Sequence, residues 1–521
     1  MKTIFTLLLF VATCSSVNCQ TWQWVKSAGG TYNDEGNSVV SDKDGNIYVA
    51  ASFYGSLSIG DSAINGNAVI KYSSTGDLLW AKRVNGVISD LATDRDGNIY
   101  LAGGFSGNVA FDTSKLINAG EEDIFVAKMS PLGHFIWAKS AGGTSNDHAF
   151  SVVVDSSDNV YITGLVLRST MFDQINVPMV AGGVFLAKYK GSTGKVIWAK
   201  GKGENATGYH LTVDKFANIY MTGSFSFGCD FGTGTTFVSR GNTDVFVAKF
   251  DSSGVFNWVK QAGGKSYDVG NSIASEPDGN IYITGYFRDT SFFETTKLIS
   301  ESWDDIFVAK YNTSGDLVWA KREGGADMDI GFGIALGKSN DVYITGYWGI
   351  DYPSATYVTL IKYDKAGNQK FIKKIDNLGA NLGKAVITDK AGDVYVTGGF
   401  YGTAVFNNTS ATSIGGSDFF IAKYHPSISD GISILKKDDN ISVYPNPCDN
   451  SLNISIPNLG GVLNVNISLL NMLGQMVHFE TRKVQPTSNY TIDVTELSSG
   501  VYFLNINLGE NMIIKKVYIL K

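Results

Sequence analysis

Proline and cysteine are scarce in this 521-residue chain, at 9 and 4 residues, and charged residues make up only 17% of it. Each shortage excludes something. Two of the cysteines, Cys14 and Cys19, sit near the N-terminus in a segment that reads as removable, and Cys229 and Cys448 fall in what read as separate domains. No disulfide framework can be built from them. Neither Cys229 nor Cys448 has a neighbouring histidine, which argues against a catalytic thiol. There is no Lys/Arg run, and the formal net charge is -7. A nucleic-acid partner is therefore not expected. Long apolar runs are also missing: Ile4 to Ala12 is about half of the roughly 20 residues that cross a bilayer as a helix.

That short run, with Lys2 before it and Ser15, Ser16 and Asn18 after it, reads as a secretory signal peptide over 1–19, cleaved after Cys19 to leave Gln20 first. With the signal removed, no transmembrane segment is expected. Val11-Ala12-Thr13-Cys14 loosely resembles a lipid-attachment site, although Thr13 fits it poorly.

What the chain has in quantity is glycine, 59 residues, with 12% aromatics. Apolar mass with many turn residues suits an all-β protein of short strands. Three signatures recur in the same order at intervals of about 52 to 62 residues. The first is Trp-x-Lys, at Trp24, Trp80, Trp137, Trp198, Trp258 and Trp319, with Phe371 in the last copy. The second is Gly-Asn-Ile-Tyr or a variant, ending at Tyr48, Tyr100, Tyr161, Tyr220, Tyr282, Tyr343 and Tyr395. The third is Phe-Val-Ala-Lys or a variant, ending at Lys71, Lys128, Lys188, Lys249, Lys310, Lys362 and Lys423.

Residues 36 to 84 show how one unit folds. Ser38 to Ser41 make a first strand, Asp44-Gly45-Asn46 a tight turn, and Ile47 to Phe53 a second strand. A Gly-rich loop follows, then Ala68 to Tyr72 and Leu78 to Lys82 as third and fourth strands. No helical period interrupts them. A four-stranded sheet with apolar residues on both faces cannot bury them alone, and radial stacking of such sheets solves the problem. The ends carry a further signal: a lone Trp-x-Lys strand at 22–27 has no unit of its own, and the last unit, 384–424, lacks a fourth strand. Joining them predicts a seven-bladed β-propeller of four-stranded blades over 20–425, closed by its N-terminal strand.

Gly-Gly-x-x-x-Asp (Gly29, Gly30, Asp34; Gly142, Gly143, Asp147; Gly263, Gly264, Asp268) followed by Asp-x-x-Gly-Asn-x-Tyr-x-x-Gly resembles the bacterial SBBP-type β-propeller repeat. The resemblance covers about 400 residues. Departures lie at Arg83 to Gly86, Lys202 to Glu204 and Asp376 to Gly379.

Beyond His425 the repeat stops. Residues 426–438 read as a linker, and 439–521 as a small Ig-like β-sandwich with strands at Leu452 to Ile456, Val462 to Leu470, Tyr490 to Val494, Val501 to Ile506 and Ile513 to Leu520. Three features carry a second resemblance: the opening Tyr444-Pro445-Asn446-Pro447, the turn and strand at Leu497-Ser498-Ser499-Gly500-Val501-Tyr502, and a last strand with Lys515 and Lys516 ending at Lys521. Together they are similar to the type A C-terminal sorting domain of the bacterial type IX secretion system. That resemblance implies type IX machinery as a partner, export across the outer membrane, and then release or surface attachment.

Reactive constellations are few. Asp42-Lys43-Asp44-Gly45-Asn46 and Asp94-Arg95-Asp96-Gly97-Asn98 begin like a calcium loop, but no acidic residue closes it, so plain hairpin turns are expected, with structural calcium as the alternative. No other cofactor is expected. The repeated Trp suits inter-blade packing, with carbohydrate stacking as the alternative. Asp123, Asp244, Asp305 and Asp418, before the third strands, suit bonds to nearby backbone. Thr193 to Trp198 resembles part of the tryptophan-docking motif of quinone-cofactor dehydrogenases, and Gly four residues before Trp recurs. However, Asp251 is one residue out of place and seven blades stand against the usual eight. His134, His148, His210, His425 and His478 have no metal spacing, and no nucleophile elbow, phosphate loop or His-centred triad can be picked out. The expectation is a non-enzymatic exported propeller, either a binding or adhesion module for a surface glycan or protein or a structural component of the matrix. Recognition is expected in variable loops such as Gly164 to Gly183 and Gly223 to Gly241.

Overall fold

The computed structural model describes residues 21–232, 234–351, 355–375, 379, 381–407, 409–426, 442–456, 463–471, 476–484, 488–507 and 512–521. The signal segment, the linker beyond Pro426 and residues 439–441 lie outside these. The described residues are strands and turns that fall into two compact units, the first ending at His425.

In the first unit the strands form four-stranded antiparallel sets, and seven can be followed. The first comprises Glu35–Ser41, Ile47–Ile59, Ser62–Tyr72 and Leu78–Val84. The Gly-rich segment expected as a loop is instead a continuation of the second and third strands, paired out to Ile59 and Ser62. Gly164 to Gly183 and Gly223 to Gly241 instead carry hairpins separate from their second and third strands, Thr170–Phe172/Ile175–Val177 and Gly228–Cys229/Phe237–Val238. Their strands are two or three residues long, too short for alternation to show in sequence.

The inner strands, Glu35–Ser41, Val87–Thr93, Asp147–Val154, Ala206–Val213, Asp268–Ser275, Asp329–Leu336 and Leu382–Thr388, pack against one another in that order, and the last packs back on the first. The fourth strand of the closing set is Thr21–Ala28, paired with Asp418–His425 across nearly the whole unit.

The three signatures are neighbours on one row of each sheet. Tyr48 lies opposite Lys71, and Lys71 opposite Trp80; the same register holds from Tyr100–Lys128–Trp137 to Tyr395–Lys423–Trp24. Each ammonium sits over its Tyr ring, at 4.7 Å for Lys310 and 5.0 Å for Lys71, an attraction of about 0.5–1 kcal/mol. In six of the blades the Tyr hydroxyl in turn donates to the first carboxylate of the hairpin turn, Tyr48 to Asp42 at 3.0 Å and Tyr161 to Asp155 at 3.0 Å. The other oxygen of Asp42 accepts the N–H groups of Asp44 and Asn46 at 2.9 Å each, which bends the chain into the turn while Gly45 takes φ +81°.

Trp then joins one blade to the next. The Trp137 indole N–H donates to the Gly191 carbonyl at 3.0 Å, and its ring covers Gly194, where φ is +69° and an added Cβ would lie 2.7 Å from the indole. Trp24, Trp80, Trp198, Trp258 and Trp319 face Gly76, Gly133, Gly254, Gly315 and Gly367 in the same way. The glycine four residues before Trp80, Trp137, Trp198, Trp258, Trp319 and Phe371 is thus the surface that receives the preceding blade's Trp. The departure at Phe371 also has a cause. The next blade's third and fourth strands are Asp418–His425 and Thr21–Ala28, which no turn connects, so no glycine awaits an indole, and Phe371 packs on Tyr424 instead, ring centroids 5.7 Å apart.

The second unit is a sandwich of a three-stranded sheet, Ser442–Tyr444, Ser451–Ile456 and Ser488–Asp493, and a four-stranded sheet, Met476–Val484, Leu463–Asn471, Gly500–Asn507 and Met512–Ile519. Leu452, Ile454, Ile467, Leu469, Ile492, Leu504, Ile506, Val517 and Ile519 fill it. Met476–Val484 was not anticipated as a strand, because its apolar Val477 and Phe479 point outward and the buried-face alternation that marks the other strands is missing.

Candidate functional site

The ring of inner strands surrounds a channel of about 900 Å³. Every inner strand has a β-bulge at the same place, and each bulge turns one residue toward the channel mouth: Asn37, Ser89, Phe150, Tyr209, Asn271, Phe332 and Lys384. All seven are half-buried. The periodic backbone therefore presents a non-periodic set of side chains.

Their chemistry divides the mouth. Phe150 and Tyr209 stand side by side, ring centroids 5.7 Å apart, and Phe332 lies 5.9 Å from Tyr347. Across from them, Asn37 donates to Ser52 Oγ at 2.8 Å, and Ser52 donates to Asn67. Lys384 reaches both the Glu35 carboxylate and Asn37 Oδ1. Lys384 is paired with Glu35, and Arg288 with Asp304 through two bonds of 2.7 and 3.0 Å. Below the mouth the blades are stitched by Asp90, which accepts from Ser38 at 2.8 Å and from Ser151 at 2.9 Å.

Sequence reasoning missed this ring. The one available signal was position: the variable residue follows a small one, as in Gly36-Asn37, Ala149-Phe150, Gly208-Tyr209 and Gly331-Phe332. It missed also the grouping of Ser89, His148 and Glu122. Ser89 Oγ is 2.7 Å from His148 Nε2, and His148 Nδ1 is 3.2 Å from Glu122 Oε1.

The acidic residues before the third strands accept backbone N–H groups four residues back, from Ala119 to Asp123 at 2.6 Å and from Ile414 to Asp418 at 3.1 Å. Each carboxylate fills the place a Cβ would take on the first glycine of the following Gly-Gly pair, Asp123 at Gly142 and Asp305 at Gly324. The second glycine donates to the next Asp, Gly30 to Asp34 at 2.7 Å and Gly264 to Asp268 at 2.8 Å. These carboxyls are buried. Burial pushes Asp147 and Asp418 up to about 6, and Asp268 and Asp329 up to about 7.

In the sandwich, the three sequence features meet at the last strand. Asn446 accepts from the Tyr518 N–H and donates to the Lys516 carbonyl, both at 2.8 Å, which lays the Tyr444-Pro445-Asn446-Pro447 segment along that strand. Gly500, Val501 and Tyr502 pair with Ile519, Tyr518 and Val517, and the Tyr502 hydroxyl donates to the Ser498 carbonyl at 2.9 Å. Lys515 and Lys516 lie opposite Leu504 and Phe503, with Lys516 exposed. The Lys521 N–H donates to Ser499 Oγ at 2.8 Å.

Comparison with known proteins agrees with both units. Residues 442–520 match the family model described as a secretion system C-terminal sorting domain, and residues 257–286 match the model of a beta-propeller repeat. An uncharacterized WD repeat-containing protein of Acanthamoeba polyphaga mimivirus is 24% identical, over 72% of this chain and 36% of that protein. The regulatory protein FlaEY of Caulobacter vibrioides is 25% identical over 35% of this chain and 18% of its own length. The chain thus spans only about a third or less of these relatives. Among solved structures, the Neurospora crassa Pan2 WD40 domain has 10% identity and a TM-score of 0.40, with 75% of this chain and 90% of that chain covered. BamB from Moraxella catarrhalis has 11% identity and a TM-score of 0.35, with 79% and 98% covered.

Proposed function

This is a secreted β-propeller protein, and we propose that it works outside the cell as a binding module that takes its ligand at the channel mouth. The observation that carries the reading is the ring of seven bulge residues. Along the Tyr–Lys–Trp row the repeat places like residues at like positions for packing. At the mouth it places seven positions in equivalent geometry and fills them with an amide, a hydroxyl, aromatics and an ammonium. Side chains freed from a packing role, converging on one cavity, are where a ligand can be read.

The ligand class follows from the pairing of charge. With the Lys384 ammonium matched by Glu35 and Asp90 held by the hydroxyls of Ser38 and Ser151, the mouth offers little to a charged partner, while half-exposed rings facing amides and hydroxyls suit a neutral glycan, whose apolar ring faces stack and whose hydroxyls accept and donate. Export would run through the C-terminal domain and the type IX machinery, with the protein released or held at the surface.

The experiment immobilises a panel of neutral oligosaccharides and measures retention of the mature chain and of Phe150→Ala and Tyr209→Ala. The expected result is retention weakened about tenfold or more by either substitution, which corresponds to about 1.4 kcal/mol. Equal retention of all three proteins, or none by the wild type, would contradict the reading. Cell fractionation with and without residues 439–521 tests the export half, since unchanged export of the truncated chain would defeat it.

A further inference from the structure

We propose that Ser89, His148 and Glu122 form a nucleophile, base and orienting carboxylate at the channel mouth, and that the protein hydrolyses an acyl ester there. The inference goes beyond ligand binding and stands on its own geometry. A serine hydroxyl becomes a nucleophile when an imidazole nitrogen within hydrogen-bond reach takes its proton and a third group holds the imidazole in the right tautomer. Here Ser89 Oγ lies 2.7 Å from His148 Nε2, and Glu122 Oε1 lies 3.2 Å from His148 Nδ1. A proton on Nδ1 faces the carboxylate, which leaves Nε2 free to accept from the serine.

Three features separate this group from ordinary inter-strand hydrogen bonding. First, it is not part of the repeat: the positions equivalent to His148 hold Glu35, Val87, Thr207, Val269, Ile330 and Leu382. Second, the fold makes room for it. Gly104 lies opposite Val87 on the second strand, where five blades carry Ser52, Leu165, Ser224, Tyr286 and Tyr347 and the closing blade carries Gly399, and a Cβ on Gly104 would fall on both Glu122 Oε1 and His148 Nδ1. Third, Ser89 is the bulge residue of its strand and lines the 900 Å³ channel, so a substrate can reach it. The Phe150 ring, 4.9 Å from the His148 ring, supplies an apolar wall for an acyl chain. Asn37 donates through Nδ2 to Ser52 Oγ at 2.8 Å and to the Ile88 carbonyl at 3.4 Å, which ties down the chain just before the nucleophile.

The chemistry balances with water as the only co-reactant. Ser89 Oγ bonds to the ester carbonyl carbon as its proton moves to His148 Nε2. The carbon–oxygen bond to the alcohol then breaks, and His148 returns the proton to the departing alkoxide. Water, deprotonated by His148, attacks the acyl-serine; the carboxylic acid leaves and Ser89 regains its proton.

The test treats the mature chain with a fluorophosphonate probe and maps the adduct by mass spectrometry, then follows p-nitrophenyl butyrate hydrolysis. The expected result is one adduct on the Ser89 peptide, and hydrolysis that falls to the solvent rate in Ser89→Ala while thermal unfolding is unchanged. Glu122→Gln, a positioning change, should lower kcat with KM held, and Gly104→Ala should abolish labelling. If Ser89→Ala does not fold, Ser89→Cys keeps the question open to measurement, since its thiol should take the acyl group from the ester. No adduct at Ser89, or hydrolysis at the wild-type rate in Ser89→Ala, would overturn the proposal, whatever the oligosaccharide panel shows.

Discussion

Each blade has two ends, and they are built on opposite rules. At the end with the hairpin turns, Tyr, Lys and Trp repeat in one register row, and the side chain at a given place meets the same neighbours in nearly every blade. At the other end, the bulge residues change from blade to blade, although Asn37 and Asn271 make the same bond to the next blade, to the carbonyls of Ile88 at 3.4 Å and Gly331 at 2.9 Å. The repeated end spends its side chains on joining blades, through Trp on glycine and Lys on turn carbonyls such as Lys71 to Pro131 at 3.1 Å. The mouth is relieved of that duty because its backbone is already fixed by the row beneath it. Repetition therefore marks where the ring is held, and its loss marks where it can act.

The comparison breaks most severely if the ring is opened. Deleting residues 20–28 removes the strand paired with Asp418–His425 and, with Trp22, the ring that packs on Phe406 and Tyr424, so denaturant titration should show a loss of more than about 5 kcal/mol. Next comes a single joint. Trp137→Ala, a nearly buried indole with its N–H on Gly191, should cost about 3–5 kcal/mol, and Phe371→Ala less, since no glycine turn receives it.

The acidic seams between blades give an unusual pH response. Between about pH 4 and pH 7 the Asp268 carboxyl holds a proton when folded and has lost it when unfolded, because its folded value is raised to about 7. Unfolding then releases a proton, and stability is greatest at the acid end of the window and falls as pH rises through it, by up to about 1.4 kcal/mol per pH unit for this one group. Asp268→Asn should flatten that slope in urea melts at pH 5 and pH 8; an unchanged slope would remove Asp268 from the account. A smaller change, Gly194→Ala, forces a side chain into φ +69° and toward the Trp137 indole, at about 1–3 kcal/mol by thermal melting. Smallest of all, Phe150→Ala and Tyr209→Ala should move unfolding by less than about 1 kcal/mol, since both rings are only half-buried.

The repeated end was legible in sequence because packing that recurs leaves a recurring pattern. Tyr48, Lys71 and Trp80 stand apart in the chain yet advertise one another by returning together, and the lone strand at 22–27 disclosed its partner by the copy it lacked. The mouth was not legible for the same reason inverted. Ser89 and His148 are 59 residues apart on neighbouring blades, occur once, and are joined by a bulge that periodicity passes over. The hairpins between second and third strands were read as open loops because strands of two or three residues, such as Gly228–Cys229 and Thr170–Phe172, are too short for alternation to show. In the sandwich, the Asn446 contact with the last strand explains in space why motifs more than 60 residues apart occur together.

One blade holds both ends in a form that can be measured together. Tyr209 lies at the mouth and Trp258 in the outer strand of the same four-stranded set. Oligosaccharide retention and the unfolding midpoint, recorded on the same samples of Tyr209→Ala and Trp258→Ala, test the division directly. The account predicts that Tyr209→Ala loses retention and keeps its midpoint, while Trp258→Ala loses midpoint and, at temperatures where it is folded, keeps retention. Retention that survives Tyr209→Ala and disappears in folded Trp258→Ala would contradict it.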